Sequence, residues 1–237
     1  MWIFYCPDIE TDMELPQEEA GHCIRVLRLK EGDRILLADG KGSFHDACIT
    51  SVTGKRCFVH IEKSQRQAPL WNGYVHIAVA PAKLMDRNEW FVEKAVEIGV
   101  NEITFIDTEH SERTAIKLER VDRIAVSAMK QSKKALLPHI EGMVKFGELI
   151  SRPFDGDRFI AHCDENGART HLMDALVPGR NAMVLIGPEG DFSPAEIRMA
   201  LDAGFRPVSL GDSRLRTETA ALASVMMMNL NARHRNP

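Results

Sequence analysis

Two loops near the C-terminus hold the residue types most capable of chemistry. They are Ile186-Gly187-Pro188-Glu189-Gly190-Asp191-Phe192 and Ser209-Leu210-Gly211-Asp212-Ser213-Arg214-Leu215-Arg216-Thr217-Glu218-Thr219-Ala220. Each follows a short apolar run that reads as a strand, which places bare backbone, a carboxylate and arginines beyond strand carboxyl ends, where open α/β sheets bind ligands. Glycines let a flat ligand approach the main chain, and Glu189 there would face a cation or a hydrogen-bond donor. Gly-Pro is also a generic turn pair, and an acid near a helix start is favoured by the helix dipole, so the first loop alone is compatible with a structural role. In the second loop Thr217 is positioned as an N-cap, and Arg214 and Arg216 precede an apolar helix. They read either as solvated charges or as ligand-facing groups; a glycine-containing arginine loop held in order favours the second reading.

Other chemistries lack their motifs. There is no G-x-x-x-x-G-K-[ST], and Gly40-Lys41-Gly42 falls in a β-hairpin and not after the first strand of an α/β unit. A ligand without phosphates is therefore expected. The nine histidines form no H-E-x-x-H cluster, and Cys6, Cys23, Cys48, Cys57 and Cys163 show no C-x-x-C spacing. We expect no metal, reduced thiols and a cytoplasmic protein. A formal net charge of -4 argues against wholesale electrostatic binding of nucleic acid, so any RNA contact must rest on local basic clusters. The N-terminus reads as a strand and not as a signal peptide, and the uncharged stretch near 219–232 is too short and too polar at its end to span a membrane.

The elements that must position these loops divide in two. Strands are expected at Trp2–Tyr5, Arg34–Ala38, Phe44–Val52 and Arg56–Ile61, with turns at Asp39–Gly42 and Thr53-Gly54 and a short helix after Pro16. This pattern predicts a small β-barrel. The polar, aperiodic Lys63–Pro69 reads as the boundary, giving domains 1–70 and 73–237. Beyond it strands alternate with helices. Strands are expected at Tyr74–Ala80, Glu102–Ile106, Phe159–His162, Ala182–Ile186 and Val208–Leu210. Helices are expected from Asp86 to Gly99, Leu118 to Leu137, Thr170 to Leu176, Ser193 to Gly204 and Glu218 to Ala232. Asp86 with Glu89 and Ser193 with Glu196 have capping-box spacing. The alternation predicts an α/β domain with a mostly parallel sheet.

Ile186-Gly187-Pro188-Glu189-Gly190 together with Ser209-Leu210-Gly211 and Leu215-Arg216-Thr217-Glu218-Thr219-Ala220 resembles the SPOUT superfamily of knotted methyltransferases. Within it, the match is to the bacterial 16S ribosomal RNA uracil-N3 methyltransferases of the RsmE type. His22 with Val26-Leu27-Arg28, Gly32-Asp33 and Asp39-Gly40 is similar to that family's PUA-like domain. Lys83, Lys94–Val100, Ser111-Glu112-Arg113 and Gln131-Ser132 are similar to the first part of its catalytic domain, so the resemblance covers nearly the whole chain. Two segments depart from the family's pattern. Gly190-Asp191-Phe192 stands where two glycines followed by an aromatic or apolar residue are usual, and Lys133-Lys134 follows Gln131-Ser132 where an arginine is usual. Lysine keeps the charge but not the planar fork.

The resemblance implies a PUA-like β-barrel followed by a trefoil-knotted SPOUT domain that binds S-adenosylmethionine and works as a homodimer on 16S ribosomal RNA of the small subunit. Carried over by position, His162, Gly187, Glu189, Gly190, Ser209, Leu210, Gly211, Leu215, Arg216 and Thr217 would surround the cofactor. Uridine N3 is a poor nucleophile while it keeps its proton. Arg216 beside O2 or O4 would stabilise the developing anion, and Glu189 would take the proton, directly or through water. Arg120, Arg123, Lys130 and Lys134 are expected on one face of the long helix; with Lys83, Arg113, Lys133, Arg25 and Arg28 they form the candidate RNA contacts, against the competing reading of a solvated face. A non-catalytic RNA-binding protein and a nucleotide-dependent oxidoreductase are the alternatives; the intact loops oppose the first, and the missing glycine fingerprint opposes the second.

Overall fold

The computed structural model describes residues 2–10, 13–69, 71–163 and 169–232. The chain packs as two units, Met1–Ala68 with Val126–Leu137, and Pro69–Ala125 with Pro138–Pro237.

The first unit is built on a sheet of order β1-β2-β3-β4, comprising β1 (Ile3–Tyr5), β2 (Arg34–Ala38), β3 (Ser43–Thr53) and β4 (Arg56–Arg66). β1 runs parallel to β2, and the other pairs are antiparallel hairpins. The first hairpin turns on Gly40 and Gly42, both at positive φ, while Asp39 Oδ1 accepts from the Lys41 and Ser43 amides at 2.7 and 2.8 Å. Register slips between Asp46 and Ala47 and between Ile49 and Ser51 bend the long β3–β4 pair. On the outer side of β4, Met13–Leu15 adds a further bridge through Leu15 N–H to Cys57 O and Val59 N–H to Met13 O, both 2.9 Å. Phe4, Leu15, Ile35, Leu37 and Ile49 fill the core beneath the sheet. Helix α1 (Gln17–Gly21) widens into a π turn over His22–Val26.

Strand β4 continues to Arg66, so the polar run read as a boundary is partly strand, with Lys63–Arg66 pairing to Ser43–Asp46. At a sheet edge these side chains are solvated, and the apolar alternation that would mark a strand is absent. The long helix α3 (Leu118–Gln131) also differs from expectation, ending at Gln131 instead of Leu137. Lys133 has φ 55, and Ser132 Oγ donates to Ala128 O at 2.7 Å. The following backbone bonds to the first unit: Gln67 Oε1 accepts from Ala135 N–H at 2.8 Å, and Leu137 N–H donates to Gly40 O at 2.9 Å.

In the second unit all strands are parallel, in the order β7-β6-β5-β10-β8-β11-β9. They are β5 (Val75–Val79), β6 (Glu102–Asp107), β7 (His139–Lys145), β8 (Asp157–Ala161), β9 (Thr170–His171), β10 (Ala182–Ile186) and β11 (Arg206–Ser209). The helices are α2 (Met85–Ile98), α4 (Phe146–Ser151), α5 (Leu172–Ala175), α6 (Pro194–Asp202) and α7 (Thr217–Ala232). All five residues of β10 are buried at the centre of the sheet. After β11 the chain returns to the middle, where α7 packs on β5, β10 and α2. Among the described residues no helix is long and apolar enough to cross a membrane.

Local signals decide these elements unevenly. Ser193 and Glu196 form the reciprocal capping box of α6, with Pro194 at its first turn. Asp86 makes no such cap. The N-cap of α2 is Leu84, and buried Asn88 organises the approach by accepting from Ala82 N–H and donating to Ala82 O, both at 2.8 Å. Gly99 ends α2 at φ 124, and a Cβ there would lie 2.3 Å from the Trp71 ring, so only glycine fits. Strand β7 and helix α4 carry no pattern that predicted them.

His76 on β5 is buried with Nε2 2.9 Å from Thr104 Oγ1, and Nδ1 has no hydrogen-bond partner among the described residues. Burial pushes its pKa down to about 4, against the pull of Glu102 and Glu141. Its folded pKa lies below the unfolded value, so its contribution is present above about 6.5 and is lost as pH falls toward 4. We predict that His76→Gln flattens the fall in stability across this window, removing about 3 kcal/mol of pH-dependent stability. Urea denaturation of both proteins at several pH values measures the difference.

Candidate active site

Strand register sets the site. Ile186 of β10 pairs with Ala161 of β8, and Ala161 pairs with Val208 of β11. The three strands therefore reach their carboxyl ends at one level, and their loops open side by side. A cavity of about 480 Å³ lies among them, within the second unit. The ten residues expected around a cofactor, His162, Gly187, Glu189, Gly190, Ser209, Leu210, Gly211, Leu215, Arg216 and Thr217, all line it. So do Arg214, read from the sequence as a ligand-facing group, and Cys163, Arg169, Asp191 and Ser213, which the sequence did not assign to a cofactor site. Arg169 follows a polar segment without periodicity, and only its contact with the carbonyl of His162 reveals it.

Side chains tie the loops to one another. Thr217 is buried at the first turn of α7, and its Oγ1 donates to Gly187 O at 3.2 Å. The expected Thr217 N-cap is not made; that hydroxyl joins the start of α7 to the turn after β10. Glu189 is exposed, and its Oε1 accepts from Lys83 N–H at 3.0 Å, while Arg113 Nη2 donates to Lys83 O at 2.7 Å. His110 Nδ1 lies 3.2 and 3.0 Å from the carbonyl oxygens of Gly190 and Asp191. At Gly187 a Cβ would come within 3.1 Å of the Phe192 ring, so glycine lets that ring close under the turn onto Phe146. Gly211 has φ 117, a conformation that a residue with a Cβ rarely adopts.

Charge at the cavity is mixed. Arg214 and Arg216 are exposed, and their side chains form no hydrogen bond or ion pair among the described residues. Glu218, on the same turn of α7 as Thr217, is held by Arg87 at 3.2 Å. Burial, and after it the Asp191 carboxylate, push the Cys163 thiol up, with Arg214 and Arg169 opposing.

The candidate RNA contacts divide between the units. Arg25, Arg28 and Lys133 are exposed on the first, Arg28 and Lys133 at positive φ. Lys130 pairs with Glu19 at 2.5 Å, and Lys134 is only 8% exposed and lies beyond the helix end. In the second unit Arg120 pairs with Glu89 at 2.6 Å, Arg123 lies 3.9 Å from Glu119, and Lys83 pairs with Glu112 at 2.6 Å. The single basic helix face expected from the sequence is thus not formed: α3 stops before Lys134, and acidic partners engage the cations at 120 and 130.

Residues 69–229 match the family model of an RNA methyltransferase domain, and residues 15–62 match that of an RNA methyltransferase PUA domain. The chain is 30% identical to the ribosomal RNA small subunit methyltransferase E of Bacillus subtilis, over 86% of its own length and 84% of the relative's. It belongs to the ribosomal RNA small subunit methyltransferase E family. A probable rRNA-methyltransferase from Porphyromonas gingivalis has a similar structure, with TM-score 0.92, 48% identity and 98% of each chain covered. Ribosomal RNA small subunit methyltransferase E from Neisseria gonorrhoeae, solved bound to S-adenosyl methionine, is 28% identical with TM-score 0.81 and 97% of each chain covered. This methyltransferase therefore carries its loop cavity in the domain that matches the RNA methyltransferase model.

Removing the Thr217 hydroxyl leaves the buried Gly187 carbonyl without that donor. We predict that Thr217→Val lowers stability by about 1–2 kcal/mol, whereas Thr217→Ser stays within about 0.5 kcal/mol of the parent. Chemical denaturation of the three proteins compares them.

Proposed function

We propose that the protein methylates N3 of a uridine in 16S ribosomal RNA, with S-adenosylmethionine as methyl donor. The observation that carries this reading is the convergence of the residues at 162, 187–190, 209–211 and 215–217 on one cavity. Its volume of about 480 Å³ is in the range of small-molecule and cofactor sites. The fit is chemical as well. Gly187, Gly190 and Gly211 present bare backbone to a flat base, carboxylates at Glu189 and Asp191 suit a cationic ligand, and no phosphate-binding loop is present. When bound, the cofactor supplies an electrophilic methyl group on a positively charged sulfur. The N. gonorrhoeae relative bound to S-adenosyl methionine supports the same assignment.

The protein's part is to prepare the nucleophile. Arg216 lines the cavity, with its guanidinium unengaged among the described residues, and would donate to a uracil carbonyl as negative charge builds after N3 loses its proton. Glu189 commits Oε1 to the Lys83 amide and keeps Oε2 to accept that proton, directly or through water. Exposed Arg25, Arg28 and Lys133 on one unit, and exposed Lys83 and Arg123 with half-buried Arg113 on the other, are the proposed phosphate contacts. Paired Lys130 and buried Lys134 are weaker members of that set. Homodimer formation is supported by Met226 and Leu230, both exposed on α7, and a cytoplasmic location by five free thiols.

The test incubates the protein and labelled cofactor with small ribosomal subunits lacking the modification, then maps the methylated nucleotide by mass spectrometry. The expected result is one uridine carrying the label at N3. Label on another base or on protein alone would overturn the assignment. Arg216→Ala is expected to slow single-turnover methylation by about 10²–10³-fold with cofactor affinity little changed. Nearly full activity in that variant would remove Arg216 from its role.

A further inference from the structure

Asp191 occupies a backbone conformation that few residues other than glycine adopt, aspartate among the more tolerant of them. Its φ is 63, in the left-handed region where glycine is the easy choice. A carboxylate kept at such a position calls for a compensating interaction, and the structure supplies one. Oδ2 accepts from Cys163 N–H at 2.7 Å, and Oδ1 accepts from Phe192 N–H at 2.8 Å. Cys163 lies just beyond β8 and Phe192 just beyond the turn after β10, so one carboxylate bridges two chain segments separated by more than a helix's length of sequence. The main chain on either side is fixed independently: Asp191 N–H donates to Pro188 O at 2.9 Å, and the Gly190 and Asp191 carbonyls face His110 Nδ1. The Asp191 end of the bridge is therefore rigid, and its free end holds the loop that carries His162 and Cys163.

We propose that Asp191 is a positioning residue whose carboxylate clamps the loop after β8 to the turn after β10 and so sets the spacing of two walls of the cofactor cavity. This rests on the reading of that cavity as the S-adenosylmethionine site. The clamp uses an ionised acceptor on backbone amides, the stronger kind of hydrogen bond, and spans two of the three loops that line the cavity. The third loop has its own tie, from Thr217 Oγ1 to Gly187 O. A residue acting only on folding would show its loss in stability. A clamp shows it in cofactor affinity, because the energy of ordering the loop is then drawn from binding.

Substitution separates the two because glycine suits φ 63. Asp191→Gly relieves the backbone while it removes the clamp, and the two effects partly offset, so its melting temperature should fall by no more than about 5 °C. Its Kd for S-adenosylmethionine, by calorimetry, should rise at least tenfold, with KM for cofactor rising in step and KM for the small subunit unchanged. Asp191→Asn keeps one acceptor oxygen, enough for Cys163 N–H but not for Phe192 N–H as well, and should recover part of that affinity. Cys163 gives a readout that needs no cofactor. Loss of the carboxylate frees its amide and lowers the thiol's pKa, so alkylation by iodoacetamide, followed by peptide mass spectrometry, should quicken several-fold in Asp191→Gly. Parental affinity in Asp191→Gly, or a parental alkylation rate, would overturn the clamp. So would a larger fall in melting temperature that accompanies the affinity loss and persists in Asp191→Asn. If the parent protein itself binds no S-adenosylmethionine, the reading of the cavity fails and the clamp's purpose with it.

Discussion

The loop cavity depends on the placement of β10 between β5 and β8 in parallel register. Ala182–Ile186 is buried along its whole length, and its pairing brings Ile186 level with Val79 on one side and Ala161 on the other. Because β11 pairs with β8, Val208 falls on that same level. A slip of one residue would turn every side chain of β10 to the opposite face, so burial on both faces fixes the register. The loops then start together at one edge of the sheet. Parallel strands have all their carboxyl ends on one edge, which is why the backbone donors and glycines collect there.

Loops at such an edge still need their main-chain groups satisfied, and here side chains do it. Thr217 meets the Gly187 carbonyl, Glu189 the Lys83 amide, Asp191 the Cys163 amide and His110 the carbonyls of Gly190 and Asp191. Three of these side chains also line the cavity. The same residues thus hold the walls and face the ligand space. That double duty links the order of the loops to the chemistry proposed for Arg216 and Glu189, since a guanidinium stabilises an anion only where its position is held.

How legible this was depended on burial. Ala182–Ile186 and the Ser193–Glu196 capping box could be read directly, because an apolar run and a reciprocal cap are local signals. The Gly-Pro-Glu-Gly and Leu-Arg-Thr-Glu-Thr-Ala turns drew attention to the residues that line the cavity for a similar reason: glycine, proline and paired arginines are conspicuous in sequence. Elements at edges were not legible. Lys63–Arg66 and His139–Lys145 lie in edge strands, where solvated side chains erase alternation. The end of α3 was hidden because Gln67, Gly40 and Gly42, distant in sequence, take up the backbone of Lys133–Leu137. Thr217 looked like a cap because its type and place suit one, yet it is the first residue of α7 itself, and its hydroxyl donates to the buried Gly187 carbonyl. Asp191 looked like a departure from a glycine pattern, and its partner, Cys163, became visible only in three dimensions.

Hydrogen exchange followed by mass spectrometry, with and without S-adenosylmethionine, tests most directly whether the three loops form one cofactor site. The account predicts that amides at 162–163, 187–192 and 209–217 gain protection together, while the sheet of the first unit is unchanged. Protection confined to one of these loops, or appearing only in residues 2–66, would contradict it.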